Sequence, residues 1–460
     1  MMINDLRSAL NLLAAQGELE VVSEPTDQYL EVARRFHPFS GVPAPGSTTP
    51  GVAFFFERVR PTNRPLTIGL FGSRERCAAL LETSLSELHE CLLRAASHPL
   101  SPCMSGILRE TRRTSLYELP ILTTTPEDAG PYITMGLVVA QDPESGSRNA
   151  SVHRMCVQSE TKLTIWVVPG RDLGRMMEKA HAQDTPLQVA IHIGLDPALY
   201  IASCITGRLA PPEVDEVGIA GAIRGRPIEL CEANSIDLPV LARADWVIEG
   251  EIGTEYLPEN ERCPSGFSMP EFLGYQGAAH PALPTIDVTA VTSNDDPIAQ
   301  AVLGPGYEQS NLLGIGLELD LLDEYRRAGL SCVDMVYCSS AGGGQLLAFI
   351  RGSIDSESTR DEMIRLSVRL LTERRMLKVI VLLNEDVDPM DHEEVWWAVT
   401  TRVQAESDII VVPDAVGFAL DPTQRPEYSP AISERGRTAK MVIDCTVPPR
   451  LRKAFTRPVF

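Results

Sequence analysis

The chain has 460 residues, a formal net charge of −21 and 44% hydrophobic residues. That length predicts two or three domains with ample interior for a buried ligand, and the acidity disfavours a nucleic-acid partner, because phosphate binding needs clustered Lys and Arg. No apolar run reaches the roughly 18 residues of a membrane span, and the first fifteen residues carry Asp5 and Arg7 where a signal peptide needs an unbroken apolar core, so a cytoplasmic protein with no membrane attachment is expected.

In the first region, 1–117, Leu6, Leu10 and Leu13 recur at helical spacing up to Gly17. Residues 18–22 and 52–56 have the pattern of strands, and 85–96 predicts an amphipathic helix. A Pro- and Gly-rich loop spans 40–51, and the basic segment with Arg109, Arg112 and Arg113 predicts a connection into the second region. Residues 118–312 mix short apolar strands at 133–139, 155–158, 163–168, 187–193 and 246–252 with helices at 172–182, 196–205 and 216–223. Residues 313–460 alternate more regularly. Helices at 319–327, 362–373 and 393–403 interleave with strands at 333–337, 346–351, 379–383, 409–412 and 441–444, the pattern of a layered α/β sheet. The fold class is therefore mixed α/β, α+β overall. Ser339 to Gln345 lacks the Lys-Ser/Thr of a phosphate loop and reads as a tight turn. Ten cysteines, scattered from Cys77 to Cys445 without a C-x-x-C pair, read as reduced core thiols, not zinc ligands.

The informative stretch is Arg148-Asn149-Ala150-Ser151-Val152-His153-Arg154, followed by Arg171-Asp172 and Asp215-Glu216. An amide oxygen and two carboxylates, Asn149, Asp172 and Glu216, form a hard donor set that suits Mg²⁺ or Mn²⁺, and such a cation can bridge to a phosphate. With 62 acidic residues many such sets exist, and it is the order and surroundings that single this one out. Tyr132-Ile133-Thr134-Met135-Gly136, Ile193-Gly194-Leu195-Asp196-Pro197, the stretch 219–225, Glu249-Gly250-Glu251, Pro270-Glu271-Phe272-Leu273-Gly274-Tyr275 and Asn384-Glu385-Asp386-Val387-Asp388-Pro389 complete a pattern. In this order it resembles the UbiD family of reversible decarboxylases, which use prenylated FMN, and the resemblance runs from about residue 5 to about residue 450.

The resemblance implies an N-terminal α/β unit, a central split β-barrel of flavin-reductase type that holds the cofactor, and a C-terminal layered α/β domain that joins copies of the chain. It implies non-oxidative decarboxylation of an α,β-unsaturated or aromatic carboxylic acid: the substrate adds across the cofactor, CO₂ leaves, and a Glu protonates the carbon. Asn149, Asp172 and Glu216 would hold a divalent cation, Mn²⁺ or Mg²⁺, against the cofactor phosphate, with K⁺ as a further cation. Ser151, Val152, His153, Arg154, Arg171 and Lys378 would contact the cofactor. Arg154 would grip the substrate carboxylate or the reactive ring, and Glu271 would be the acid/base. A flavin prenyltransferase would supply the cofactor. Within the family the chain looks like members that trim a carboxylate from a polyketide in natural-product biosynthesis, as for tautomycetin.

Taken singly these residues have plainer readings: Asp172 as a helix N-cap, Lys378 as a strand-edge lysine, Arg154 as a structural ion pair, Glu271 as a turn residue after Pro270. His153 and Arg154, adjacent on a strand, face opposite sides, so at most one of the two lines the pocket. A homodimer or higher oligomer is expected through Trp396-Trp397 and an apolar helix over 363–371. The chain also departs from the family, which usually carries a second Glu five residues before the first in an E-G-P-x-G-E pattern; Gly266 stands there. Either Glu259 or Glu261 replaces it, or the site is altered, or the protein is a non-catalytic flavin-binding or assembly homologue. A metal-dependent hydrolase built on Asn149, Asp172 and Glu216 ranks last, since it leaves Arg154, Glu271 and Lys378 unexplained.

Overall fold

Six antiparallel strands close on themselves in the computed structural model, which describes residues 2–47, 51–105, 112–263, 265–418 and 420–458. They are β1 (Tyr132–Gln141), β2 (Arg148–Ser159), β3 (Lys162–Ile165), β4 (Leu187–Ile193), β5 (Trp246–Leu257) and β6 (Leu283–Ser293). The hydrogen-bonded order is β5-β4-β1-β2-β3-β6, and a direct β5–β6 pairing shuts the barrel. Closure removes the free edges that an open sheet would leave. Val138, Met155, Leu163, Ile191, Ile248 and Ile286 belong to one buried cluster with Trp246, and Leu173, Met176 and Ala180 of helix α1 (Asp172–Ala182) join it.

Two strand predictions fell short for physical reasons. β2 is twelve residues long, not four, because its first half carries a polar face that apolar patterning does not register. β6 was not predicted, although its sequence LPTIDVTAVTS is rich in the β-branched residues that favour strands. In β5 a register shift between Glu249 and Gly250 marks a bulge. A Cβ on Gly250 would stand 2.7 Å from the Asp287 carbonyl oxygen, so only glycine fits there.

The chain divides into two compact units, Met1–Leu312 and Leu313–Phe460. The first contains the barrel and an N-terminal sheet in which Leu19–Val22, Ala53–Arg60, Arg64–Ile68 and Ala299–Ala301 are neighbours. Its first helix, Leu6–Ala15, is capped by Asp5, whose carboxylate accepts from the Ser8 backbone in a capping box. Of the predicted loop and linker, 48–50 and Arg109 lie outside the described residues. Helix α2 (Glu216–Arg224) starts at the Asp215 N-cap and ends at Gly225 in the left-handed region.

The second unit carries a five-stranded mixed sheet in the order Val333–Cys338, Leu347–Gly352, Val379–Asn384, Arg437–Asp444, Ile409–Val416. The helix predicted to begin at 319 begins at Tyr307, since Gly314 and Gly316 depress the helical signal upstream. The predicted apolar docking face over 363–371 does not exist: Met363, Leu366, Leu370 and Leu371 are buried in the unit's own core. Trp396 is exposed, and Trp397 is flanked by the guanidinium groups of Arg402 and Arg457 at 4.7 and 4.6 Å. Among the described residues no helix is long and apolar enough to cross a membrane.

Candidate active site

Strand β2 carries two chemically different clusters, one at its start and one at Arg154. At the start, alternation puts Asn149, Ser151 and His153 on one face. The Ser151 hydroxyl lies 3.0 Å from Asn149 Oδ1 and 2.9 Å from His153 Nε2, while His153 Nδ1 lies 2.8 Å from the Trp166 carbonyl. A carbonyl only accepts, so Nδ1 bears hydrogen, and burial, opposed by that carbonyl, lowers the His153 pKa and keeps the ring neutral. The single Ser151 hydrogen is therefore shared between two acceptors, Asn149 Oδ1 and His153 Nε2.

Glu216 in the first turn of α2 accepts from Asn149 Nδ2 at 3.2 Å and from the Ala150 amide at 2.9 Å. Burial pushes its pKa up to about 7, against the lowering effect of the Ala150 amide and its own backbone amide and with Asp215 and Asp172 adding repulsion. The neighbouring cations are committed elsewhere: Arg148 Nη1 is 2.5 Å from Asp215, and Arg175 is paired with Asp172. Asp172 is the first residue of its helix and caps nothing, since Arg171 holds the N-cap position. It turns toward Arg175, close enough for its charge to be felt at Glu216. The structure thus joins Asn149 and Glu216 directly and adds Asp172 as a neighbouring charge. Among the described residues no cluster of three His, Cys, Asp or Glu side chains is arranged as a metal centre. The donor set fits a divalent cation all the same, because a buried carboxylate with no cation paired to it among the described residues stands beside an Asn amide, whose oxygen is a hard ligand once the side chain turns it inward.

Of the remaining predicted contacts, Val152 is 36% exposed and Arg171 is exposed. In the second unit, Lys378 donates to Asp421 at 2.5 Å and to Thr423 at 2.7 Å, which lowers the Asp421 pKa despite the opposing effect of burial.

At Arg154 the second cluster forms. Its Nη1 donates to Glu271 Oε1, its Nη2 to Glu259 Oε2 at 3.2 Å, and its Nε stands 3.1 Å from Glu259 Oε1 as an ion-pair contact that completes no hydrogen bond. Burial works to lower the Arg154 pKa, but the two carboxylates outweigh it and hold the guanidinium charged. The Trp166 ring centroid lies 5.1 Å from Arg154 Cζ, and His280 meets the same indole edge-on at 4.9 Å. Glu271 sits at the turn of a hairpin, Phe267–Pro270 with Gln276–Ala278, where its amide donates to the Tyr275 carbonyl at 2.8 Å. A Cβ on Gly277 would come within 2.7 Å of Glu271 Oε1, so glycine keeps that carboxylate's place open. Of the two glutamates that could stand in for the one missing at Gly266, Glu259 is the one paired with Arg154. The aromatic neighbours Trp166 and His280 were not singled out from sequence, where nothing in their spacing links them to Arg154.

Comparison with known proteins matches the chain along nearly its whole length. Family models described as the N-terminal, Rift-related and C-terminal domains of 3-octaprenyl-4-hydroxybenzoate carboxy-lyase match residues 10–96, 95–307 and 310–445. A gallate decarboxylase from Lactiplantibacillus plantarum is 35% identical over 431 residues, covering 90% of this chain and 87% of that protein. The apo structure of a 3,4-dihydroxybenzoic acid decarboxylase from Enterobacter cloacae superposes with a TM-score of 0.94 at 35% identity, covering 100% of this chain and 97% of that one. The UbiD-class enzyme HmfF from Pelotomaculum thermopropionicum, in complex with FMN, superposes with a TM-score of 0.87 at 32% identity, covering 99% and 97%. An evolved dimeric form of HmfF was solved with prFMN, TM-score 0.84 at 30% identity, with the same coverage. Matches over all three domains, and a relative 35% identical over 90% of the chain, place the chain in the UbiD family of carboxy-lyases.

Proposed function

We propose that this enzyme removes CO₂ from a small aromatic carboxylic acid with prenylated FMN as cofactor. The observation that carries the reading is one guanidinium, Arg154, gripped by Glu259 and Glu271 beside the Trp166 ring. When bound, prenylated FMN supplies the electron sink for the carbon that loses CO₂. The chain's own residues do the rest. Arg154 offers a fixed, permanently charged fork for the substrate carboxylate. Glu271, whose second oxygen has no hydrogen-bond partner among the described residues, returns the proton to carbon. Glu259 stands as a second carboxylate on Arg154, which supports a catalytic protein over a non-catalytic homologue.

Asn149, Asp172 and Glu216 would hold Mn²⁺ or Mg²⁺ against the cofactor phosphate, with K⁺ nearby. Ser151, Val152, His153, Arg171 and Lys378 remain the proposed cofactor contacts, Lys378 being paired with Asp421 within its own unit. A flavin prenyltransferase supplies the cofactor, and copies of the chain associate through the exposed Trp396 surface. The test is co-production with a flavin prenyltransferase, measuring the mass and absorbance of the bound flavin and CO₂ release from 3,4-dihydroxybenzoate and gallate. Turnover of either acid by flavin-loaded protein alone is expected. Bound prenylated flavin with turnover of non-aromatic α,β-unsaturated acids only would move the substrate class, and turnover without flavin would sink the reading.

A further inference from the structure

The two carboxylates on Arg154 are not equivalent. Glu259 is 1% exposed, and four contacts converge on its two oxygens. Oε1 accepts from the Tyr132 hydroxyl at 3.1 Å and faces Arg154 Nε at 3.1 Å; Oε2 accepts from Arg154 Nη2 at 3.2 Å and from the His280 amide at 3.1 Å. Of the roughly four lone-pair directions of an ionised carboxylate, three accept hydrogen bonds, and the Arg154 Nε stands against Oε1 as an ion-pair contact. The Glu259 amide also donates to the His280 carbonyl at 2.9 Å, so this residue clasps His280 from both sides. His280 follows directly on the hairpin that carries Glu271, and the base of that hairpin is fastened by Ala279 donating to the Gly266 carbonyl at 3.0 Å. The Glu271 carboxylate, with its side chain 17% exposed, has one partner among the described residues, Arg154.

We propose that Glu259 is a positioning residue, a buried carboxylate held by three hydrogen bonds that locks Arg154 and ties the Glu271 hairpin to strand β1 through Tyr132, and that Glu271 alone exchanges a proton with substrate. A carboxylate so held, hemmed in by the guanidinium and not reached by solvent, is closed to a carbon atom. Tyr132 is the second member of the lock: its hydroxyl has one hydrogen, which Glu259 accepts.

Two measurements test this, and only one of them leans on the decarboxylase reading. The first is backbone amide hydrogen exchange on the unliganded full chain, compared across wild type, Glu259→Gln, Tyr132→Phe and Glu271→Gln. Loss of the charged acceptor in Glu259→Gln should speed exchange over residues 266–280 by about 10- to 100-fold, the worth of one hydrogen bond to a charged group. Tyr132→Phe should give a smaller increase in the same amides, and Glu271→Gln less than about twofold. Unchanged exchange in Glu259→Gln, or equal acceleration in Glu271→Gln, overturns the lock. The second uses flavin-loaded protein with 3,4-dihydroxybenzoate. Glu259→Gln should raise KM and lower kcat together, with Tyr132→Phe adding little on top of it in the double variant, whereas Glu271→Gln should lose kcat with KM kept. A loss confined to kcat in Glu259→Gln, as large as that in Glu271→Gln, makes Glu259 the acid and overturns the division of roles. If wild type does not turn over this acid, the substrate class fails, and the exchange experiment still decides the lock.

Discussion

The start and the middle of strand β2 solve the same electrostatic difficulty in opposite ways. Around Arg154, two carboxylates are desolvated against a guanidinium that belongs to the chain, so the charge is compensated internally. Around Glu216, the nearby cations are consumed by Asp215 and Asp172, and a buried carboxylate is left without one. A protein that leaves such a charge unpaired either protonates it or receives a cation from outside. The contrast marks Arg154 as a finished constellation and Glu216 as one that waits for a partner.

The largest effect should come from the finished constellation. Glu271→Gln keeps shape and one hydrogen bond but removes the transferable proton, so turnover of flavin-loaded protein should fall by about 10²–10⁴-fold, the usual worth of general acid–base catalysis, with flavin content unchanged. Equal turnover in variant and wild type would move the acid elsewhere. Arg154→Met should follow: it strands Glu259 without its counter-charge, and breaking one side of a buried pair costs about 3–5 kcal/mol, read as an earlier first transition in urea.

The waiting constellation gives a pH signature. With a folded pKa of about 7 against 4.5 in the unfolded chain, Glu216 binds more protons folded than unfolded across that interval. Stability of the metal-free protein should therefore fall as pH rises from about 4.5 to about 7, by about 3 kcal/mol from this residue. Buried Glu308, which accepts from the Gly69 and Phe71 amides, is likewise pushed up to about 7 by burial and adds a slope of the same sign. Glu216→Gln should remove only its own share, and it should abolish the stabilisation that Mn²⁺ gives wild type above pH 7. Mn²⁺ stabilising the variant as well as wild type would break the comparison. The smallest effect belongs to Asp172→Asn, which loses a half-exposed pair with Arg175 worth about 0–1 kcal/mol; Mn²⁺ stabilisation should weaken there but persist.

Much of the fold was legible because apolar periodicity reports burial: helix 172–182 and strand 187–193 have the predicted limits. What patterning could not reveal was the polar face of β2 and the closure by β6, since a strand that lines a site loses its alternation. The motifs that carried the family resemblance sort into site and scaffold only in three dimensions. Asp196 and Arg224, from two of those motifs, form a buried pair at 2.5 Å. Glu249, fully buried, accepts from the Asn234 and Ser235 amides and holds a loop. Both serve architecture. Conversely, Glu259 belongs to no motif, and its place beside Arg154 follows from a backbone path that spacing along the chain does not encode.

That path has a consequence for how the enzyme can be remodelled. In the common family pattern both glutamates sit within one hexapeptide, so any change in its length disturbs both at once. Here they hang from separate supports, Glu259 near the end of β5 and Glu271 on its hairpin. The stretch between them is thereby relieved of a shared spacing rule, and a lineage or an engineer can vary its length and chemistry, and with it the rim beside Glu271, while the arginine and its inner carboxylate stay where they are.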